Sequence, residues 1–264
     1  NQKMISIVAL AHDRDANLEF TLNCWKLQTY KEFELNIFES ANLDSTIKIL
    51  KRFQNDFKIN CYRLHTKFVD KTKAINFLAK KSTYDIICIW DVDIVKSSEY
   101  LESCIRCLTN NNFVENYARY VNTGFTKKIF DEKLTYEQIV YWDNKFPKCF
   151  NRADAPSQIC LYKKDLLAIG GHDERLYGWG SEDRDCFNRL KRFKKEVSVL
   201  ELDCYHLEHS IKNNYTFNAF NSRENNRHFL YENNSNNICM VDNTNVLRLQ
   251  NQWNELARPE KIEL

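Results

Sequence analysis

Ile86-Ile87-Cys88-Ile89-Trp90-Asp91-Val92-Asp93 decides the architecture of this 264-residue chain. An apolar run that stops at an acidic pair reads as a buried strand with carboxylates at its carboxyl end. The same pattern repeats upstream. Ile5-Ser6-Ile7-Val8-Ala9-Leu10 is a buried strand that ends at His12-Asp13-Arg14-Asp15, and Leu18, Leu22 and Trp25 follow at helical spacing with Asp15 as N-cap. Phe33 to Phe38 leads into Glu39-Ser40-Ala41-Asn42 and a helix bearing Ile47, Leu50 and Phe53. A strand near 59–64 and a helix around 73–81 precede the strand at 85–90. Strands alternating with helices predict right-handed crossovers, hence an α/β chain with a mostly parallel central sheet flanked by helices. Ligands of such sheets bind beyond the carboxyl ends of the strands, where each polar cluster falls.

After about residue 115 the pattern changes. Residues 117–160 read as irregular and aromatic-rich, interrupted by Pro147 and Pro156. Ser181 caps a helix with the apolar face Cys186, Phe187, Leu190 and Phe193. From Lys212 to Asn245 asparagine dominates and apolar residues are few, which predicts loops. A final amphipathic helix carries Val246, Leu249, Trp253 and Leu256 and stops before Pro259. The expectation is one domain over 1–264, in two halves of about 1–115 and about 116–264.

An apolar fraction of 43% supports a sizeable core, and 38 basic against 36 acidic residues argue against bulk electrostatic binding of nucleic acid. The ten cysteines are scattered through apolar contexts. Only Cys104-Ile105-Arg106-Cys107 has CxxC spacing, with no second pair to complete a zinc site, so it reads as core packing. Free cysteines fit a reducing compartment. The sequons at Asn214 and Asn233 read as chance products of an Asn-rich tail. No apolar run approaches the ~18–20 residues of a membrane span. The expected location is cytoplasmic, compatible with peripheral association at the inner membrane face.

In a strand, residues two apart project to one side, so Asp91 and Asp93 should converge on one point. Two carboxylates there suit Mg²⁺ or Mn²⁺. The partner ligand should come from Tyr205-His206-Leu207-Glu208-His209-Ser210. His209 is favoured and His206 competes, and an imidazole ligand favours manganese, with magnesium the second choice.

Tyr177-Gly178-Trp179-Gly180-Ser181-Glu182-Asp183 sets an indole between two glycines and follows it with paired carboxylates. Four of the chain's five glycines (Gly170, Gly171, Gly178, Gly180) cluster here. They allow tight turns and close ligand approach. Glu182 and Asp183 suit a helix first turn, where the macrodipole favours the anion and burial opposes it.

These residues resemble inverting glycosyltransferases of the GT-A fold, closest to the β-1,4-galactosyltransferase type and to bacterial family 2 enzymes sharing its C-terminal motif. Ile169-Gly170-Gly171-His172-Asp173-Glu174 through Asn188-Arg189-Leu190 resembles that family's glycine-rich acidic block, and Asp91-Val92-Asp93 its metal-binding motif. The resemblance implies Asp93 and His209 as metal ligands and Asp183 as general base. It implies Asp91, Arg14, Glu39 and Lys71 at the nucleotide sugar, and Glu182 and Trp179 at the acceptor. It implies a UDP-sugar donor, galactose or N-acetylgalactosamine favoured, and a saccharide or glycolipid acceptor. Ser181 replaces the family's third glycine, Arg184 interrupts its acidic run, and Leu10-Ala11-His12-Asp13 replaces its Pro-x-x-Asn opening. Acceptor specificity is expected in 111–160. The competing classes are a metal-dependent phosphohydrolase or nucleotidyltransferase, and a non-catalytic glycan-binding module on the same fold.

Overall fold

The computed structural model describes residues 3–66, 69–153, 156–178, 180–193, 196–209, 213–244 and 258–264, with only the backbone of 213–221. In the first half, β1 (Ile5–Ala11), α1 (Asp15–Lys26), β2 (Phe33–Glu39), α2 (Asp44–Phe53), β3 (Lys58–Arg63), α3 (Lys71–Lys81) and β4 (Ile86–Ile89) alternate as expected. Then come β5 (Ile94–Lys96), α4 (Tyr100–Cys107), β6 (Asn112–Asn116), β7 (Ala118–Val121), α5 (Thr123–Glu132) and α6 (Tyr136–Lys145). The rest comprises β8 (Phe150–Arg152), β9 (Gln158–Tyr162), α7 (Lys163–Ala168), α8 (Glu182–Arg192), β10 (Glu196–Val199), β11 (Cys204–His206), α9 (Asn213–Ser235) and β12 (Glu260–Ile262).

An eight-stranded sheet runs β10-β6-β9-β4-β1-β2-β3-β12. The pairs β1–β2, β1–β4, β2–β3 and β6–β10 are parallel, while β9 runs antiparallel between β4 and β6, and β12 closes the other edge antiparallel to β3. The sheet thus crosses the boundary near residue 115. Ile5, Ile7 and Ala9 of β1 enter one apolar cluster and Val8 the other, so the strand is buried on both faces. A second sheet, β5-β11-β7-β8, was not foreseen, and its β11 carries His206.

Three expectations need correction. Residues 117–160 are not irregular, because α5 and α6 lie there, each with a side-chain cap. Asn122 accepts from the Phe125 N–H, and Thr135 and Gln138 form a capping box. The Asn-rich segment is not a loop but largely the 23-residue α9. Ser181 sits at the N-cap of α8 without a side-chain cap bond and with φ +70°. In a smaller departure, α1 begins at Asp15 with Arg14 as its N-cap residue. The helix expected over 246–256 lies outside the described residues. All ten cysteines are free, and no described helix is long and apolar enough to cross a membrane.

Candidate active site

Trp90 sets the first part of the site. Its indole packs edge-on against Trp25 and its Nε1–H donates to the Ile94 carbonyl at 2.7 Å, while Thr21 Oγ1 donates to the Val92 carbonyl at 2.6 Å. The strand therefore ends before the acidic pair, and a turn closes from Ile94 N–H to Asp91 C=O at 3.2 Å. The expected convergence of Asp91 and Asp93 on one point fails for this reason: strand alternation no longer applies. Both line one cavity of about 130 Å³ but meet different partners.

Asp93 faces the two histidines. His206 Nε2 is 3.6 Å from Asp93 Oδ1 and His209 Nε2 is 3.3 Å from Oδ2. One ligand atom from each of the three residues falls within a 4.8 Å cluster, so the structure brings together His209 and its competitor. Burial works against the Asp93 charge, yet His206 and His209 hold its carboxyl below the usual range. Asp93 Oδ1 and His209 Nδ1 are buried without hydrogen-bond partners. Unsatisfied donors and acceptors of this kind need a partner, and one carboxylate with two imidazoles fits a divalent cation.

Asp91 turns to Lys71 and Gln158. Its Oδ2 accepts from Lys71 Nζ at 3.0 Å and Gln158 Nε2 at 3.1 Å, and its N–H donates to Gln158 Oε1 at 3.2 Å. Lys71, the first residue of α3, also donates to both oxygens of Asp183 at 3.0 and 3.1 Å. Burial opposes the Lys71 ammonium, but Asp183 and Asp91 hold its pKa well above the usual lysine value. Burial pushes the Asp183 carboxyl up to about 8; Lys71 opposes this and Glu182 and Asp91 reinforce it. Burial is thus the largest influence on this carboxyl.

The glycine-rich block is braced from two helices. Arg189 of α8, fully buried, pairs with Asp185 at 2.8 Å and donates to the Ile169 and Gly171 carbonyls. A Cβ on Gly171 (φ +76°) would meet Asn76 Oδ1 at 2.3 Å, so only glycine fits beside that amide. From α9, Asn226 accepts from Tyr177 N–H and donates to the Tyr177 and Gly180 carbonyls. Asn233 donates to Asp173 and Asp185. That amide is 1% exposed, which leaves its sequon inaccessible. Asparagines of the segment that suggested loops therefore hold the block that presents Asp183, Asn226 through backbone and Asn233 through carboxylates.

Among the other predicted residues, Arg14 lines the cavity and donates to the Asp13 carbonyl at 3.0 Å. Glu182 also lines it, and its Oε2 is buried without a partner. Glu39 is engaged within the protein: its Oε1 accepts from the Ala41 and Leu43 N–H groups and its Oε2 pairs with Arg63 at 2.7 Å. With both oxygens engaged, it braces the β2–α2 loop, and it is not among the residues that line this cavity. Trp179 lies outside the described residues. Sequence reasoning missed Gln158, Tyr120, which packs 4.9 Å from the His206 ring, and Asn226. A glutamine opening the apolar Gln158–Tyr162 strand was a usable signal, because a buried amide needs partners.

The chain matches glycosyl transferase family 2 over residues 6–169, and the N-terminal domain of galactosyltransferase over 157–210. It is 25% identical to human chondroitin sulfate synthase 3 over 169 residues, covering 59% of this chain and 18% of that protein. The chain thus spans under a fifth of that relative's length. Its fold resembles the mannosyltransferase PcManGT from Pyrobaculum calidifontis in complex with GDP-Man and Mn²⁺ (TM-score 0.57, 14% identity, 81% of this chain and 59% of that one). It also resembles S. aureus TarS 1-349 in complex with UDP-GlcNAc (TM-score 0.56, 15% identity, 79% and 60%). The architecture is the GT-A fold, and the chain belongs to glycosyl transferase family 2.

Proposed function

We propose that this chain transfers a sugar from a UDP-linked donor, with galactose or N-acetylgalactosamine favoured, to a saccharide hydroxyl with inversion at the anomeric carbon. The observation that carries this reading is that Asp93, His206, His209, Asp91, Lys71 and Asp183, drawn from distant parts of the chain, line one cavity. Asp93, His206 and His209 would hold Mn²⁺, with Mg²⁺ the second choice. Bound there, the ion supplies Lewis-acid stabilisation of a departing diphosphate.

Asp183 takes the proton of the acceptor hydroxyl, and its raised pKa makes it a stronger base than an ordinary carboxylate. Lys71 orients that carboxylate and, through Asp91, ties it to the donor side. Arg14 adds positive charge where the diphosphate would lie. Glu182, with a free buried oxygen, orients the acceptor. A phosphohydrolase would want more carboxylates at the metal than the single Asp93 of the described cluster. The test is incubation with a panel of UDP-sugars and Mn²⁺, with and without saccharide acceptors. Acceptor-stimulated UDP release is expected. UDP-sugar hydrolysis alone, or no turnover with any UDP-sugar and acceptor, would count against the reading.

A further inference from the structure

A second, larger cavity of about 360 Å³ adjoins the first, and the two share Tyr120, Ser157, Glu182 and Asp183. Asp183 therefore stands at the seam, with the cation-binding cluster on one side only. The lining of the second cavity also includes Arg184, Arg223 and Arg227. All three are exposed at its mouth.

Local electrostatics disfavours this arrangement twice. Arg184 lies in the first turn of α8, where the macrodipole disfavours a cation. Arg223 and Arg227 are four apart on α9, so two like charges share one helix face. Among the described residues, no carboxylate pairs with the guanidinium of Arg184 or Arg227. The carboxylates of the described lining are Glu182 and Asp183, and Asp183 is already held by Lys71. Arg184 and Arg227 thus bring cationic side chains to one cavity beside the proposed base, a lining that suits an anion. A planar guanidinium fork matches a carboxylate or phosphate in two-point geometry.

We propose that this second cavity is the acceptor site, and that it selects an acceptor whose terminal residue carries an anion, a carboxylate or a phosphate, held by Arg184 and Arg227. The inference rests on the glycosyltransferase reading and narrows its substrate. With the anion held at the mouth, the acceptor hydroxyl reaches Asp183. Its proton passes to that carboxylate, its oxygen bonds to the donor's anomeric carbon, and the bond from that carbon to the diphosphate oxygen breaks, releasing UDP.

The test uses the whole chain with UDP and Mn²⁺ present. Three matched oligosaccharides are titrated by calorimetry: one ending in glucuronate, its carboxyl-reduced glucose counterpart, and one ending in a sugar phosphate. At least one anionic ligand is expected to bind tenfold or more tightly than the neutral one, and the two anionic arms identify the group. Added salt should erode the difference, because the arginines are exposed. Arg184→Gln with Arg227→Gln should abolish the preference while UDP affinity, the folding control, stays at the wild-type value. Equal binding of charged and neutral ligands overturns the inference. So does a double variant that weakens both alike, or no anionic binding at millimolar concentration. Failure to bind UDP at all would instead strike the glycosyltransferase reading.

Discussion

Lys71 Nζ lies 3.0 Å from Asp183 Oδ1, joining the first residue of α3 to the first turn of α8 across 112 positions of sequence. The same ammonium holds Asp91 at 3.0 Å. One cation therefore ties the loop after β4 to the carboxylate proposed as base. That coupling makes the roles of the two aspartates separable by experiment.

Asp183→Asn removes the base but keeps its shape and a hydrogen-bonding oxygen for Lys71. Transfer should fall about 10²–10⁴-fold, the usual worth of a placed proton acceptor. UDP affinity, measured by calorimetry with Mn²⁺, should change less than threefold. Near-native transfer by this variant would remove Asp183 from the mechanism.

The pH profile follows from burial. A base acts deprotonated, and the Asp183 pKa is raised to about 8, so kcat/KM should climb with pH and level off only near that value. Lys71→Met removes the charge that opposes the rise, so the limb should move to still higher pH and the rate at neutral pH should drop. A plateau already reached at pH 5 in the wild-type protein would contradict this account.

Asp93 and the histidines make a separate prediction. Asp93→Ala, or His206→Ala with His209→Ala, should reduce UDP affinity in Mn²⁺ to the level that wild type shows in EDTA, while Asp183→Asn should not. Isothermal titration with and without the ion decides it. If EDTA leaves UDP binding by the wild-type protein unchanged, the cation has no part in holding the nucleotide.

Much of this site was legible because its chemistry sits where apolar strands stop. The runs through Ile5 and Ile86 read as buried strands from their length and setting, and their ends placed Arg14, Asp91 and Asp93 at one edge. Where an outcome depends on tertiary contact, the sequence was silent or misleading. Asparagine is a poor helix former, so α9 looked like loop; its helix is favoured by packing and by the bonds of Asn226 and Asn233 to the glycine-rich block. The caps of α5 and α6 were present as Asn122 and as Thr135 with Gln138, and aromatic density hid them. The separation of Asp91 from Asp93 follows from the Trp90–Ile94 bond, which no periodicity reveals.

Asn226 therefore deserves a mutation of its own. It is 1% exposed and makes three hydrogen bonds to the backbone at Tyr177 and Gly180. Asn226→Leu would leave those part-buried groups without this partner, at about 1–3 kcal/mol by urea unfolding. Because the same loop leads into Asp183, transfer should fall at least tenfold at a temperature where the variant is still folded by circular dichroism. A loss below about 1 kcal/mol would mean that the loop stands without α9.

Ser181 offers the opposite sign. At φ +70° it occupies left-handed backbone, which disfavours a residue with a Cβ, and its hydroxyl makes no cap bond in return. Glycine adopts this conformation without that clash, although it loses more chain entropy on folding. Ser181→Gly should therefore stabilise the protein by about 0.5–1 kcal/mol, raising Tm by about 2 °C. Ser181→Ala retains the Cβ and should give no gain, which separates relief of backbone strain from simple loss of the hydroxyl. Equal Tm shifts in the two variants would show that the left-handed turn carries no strain at this position.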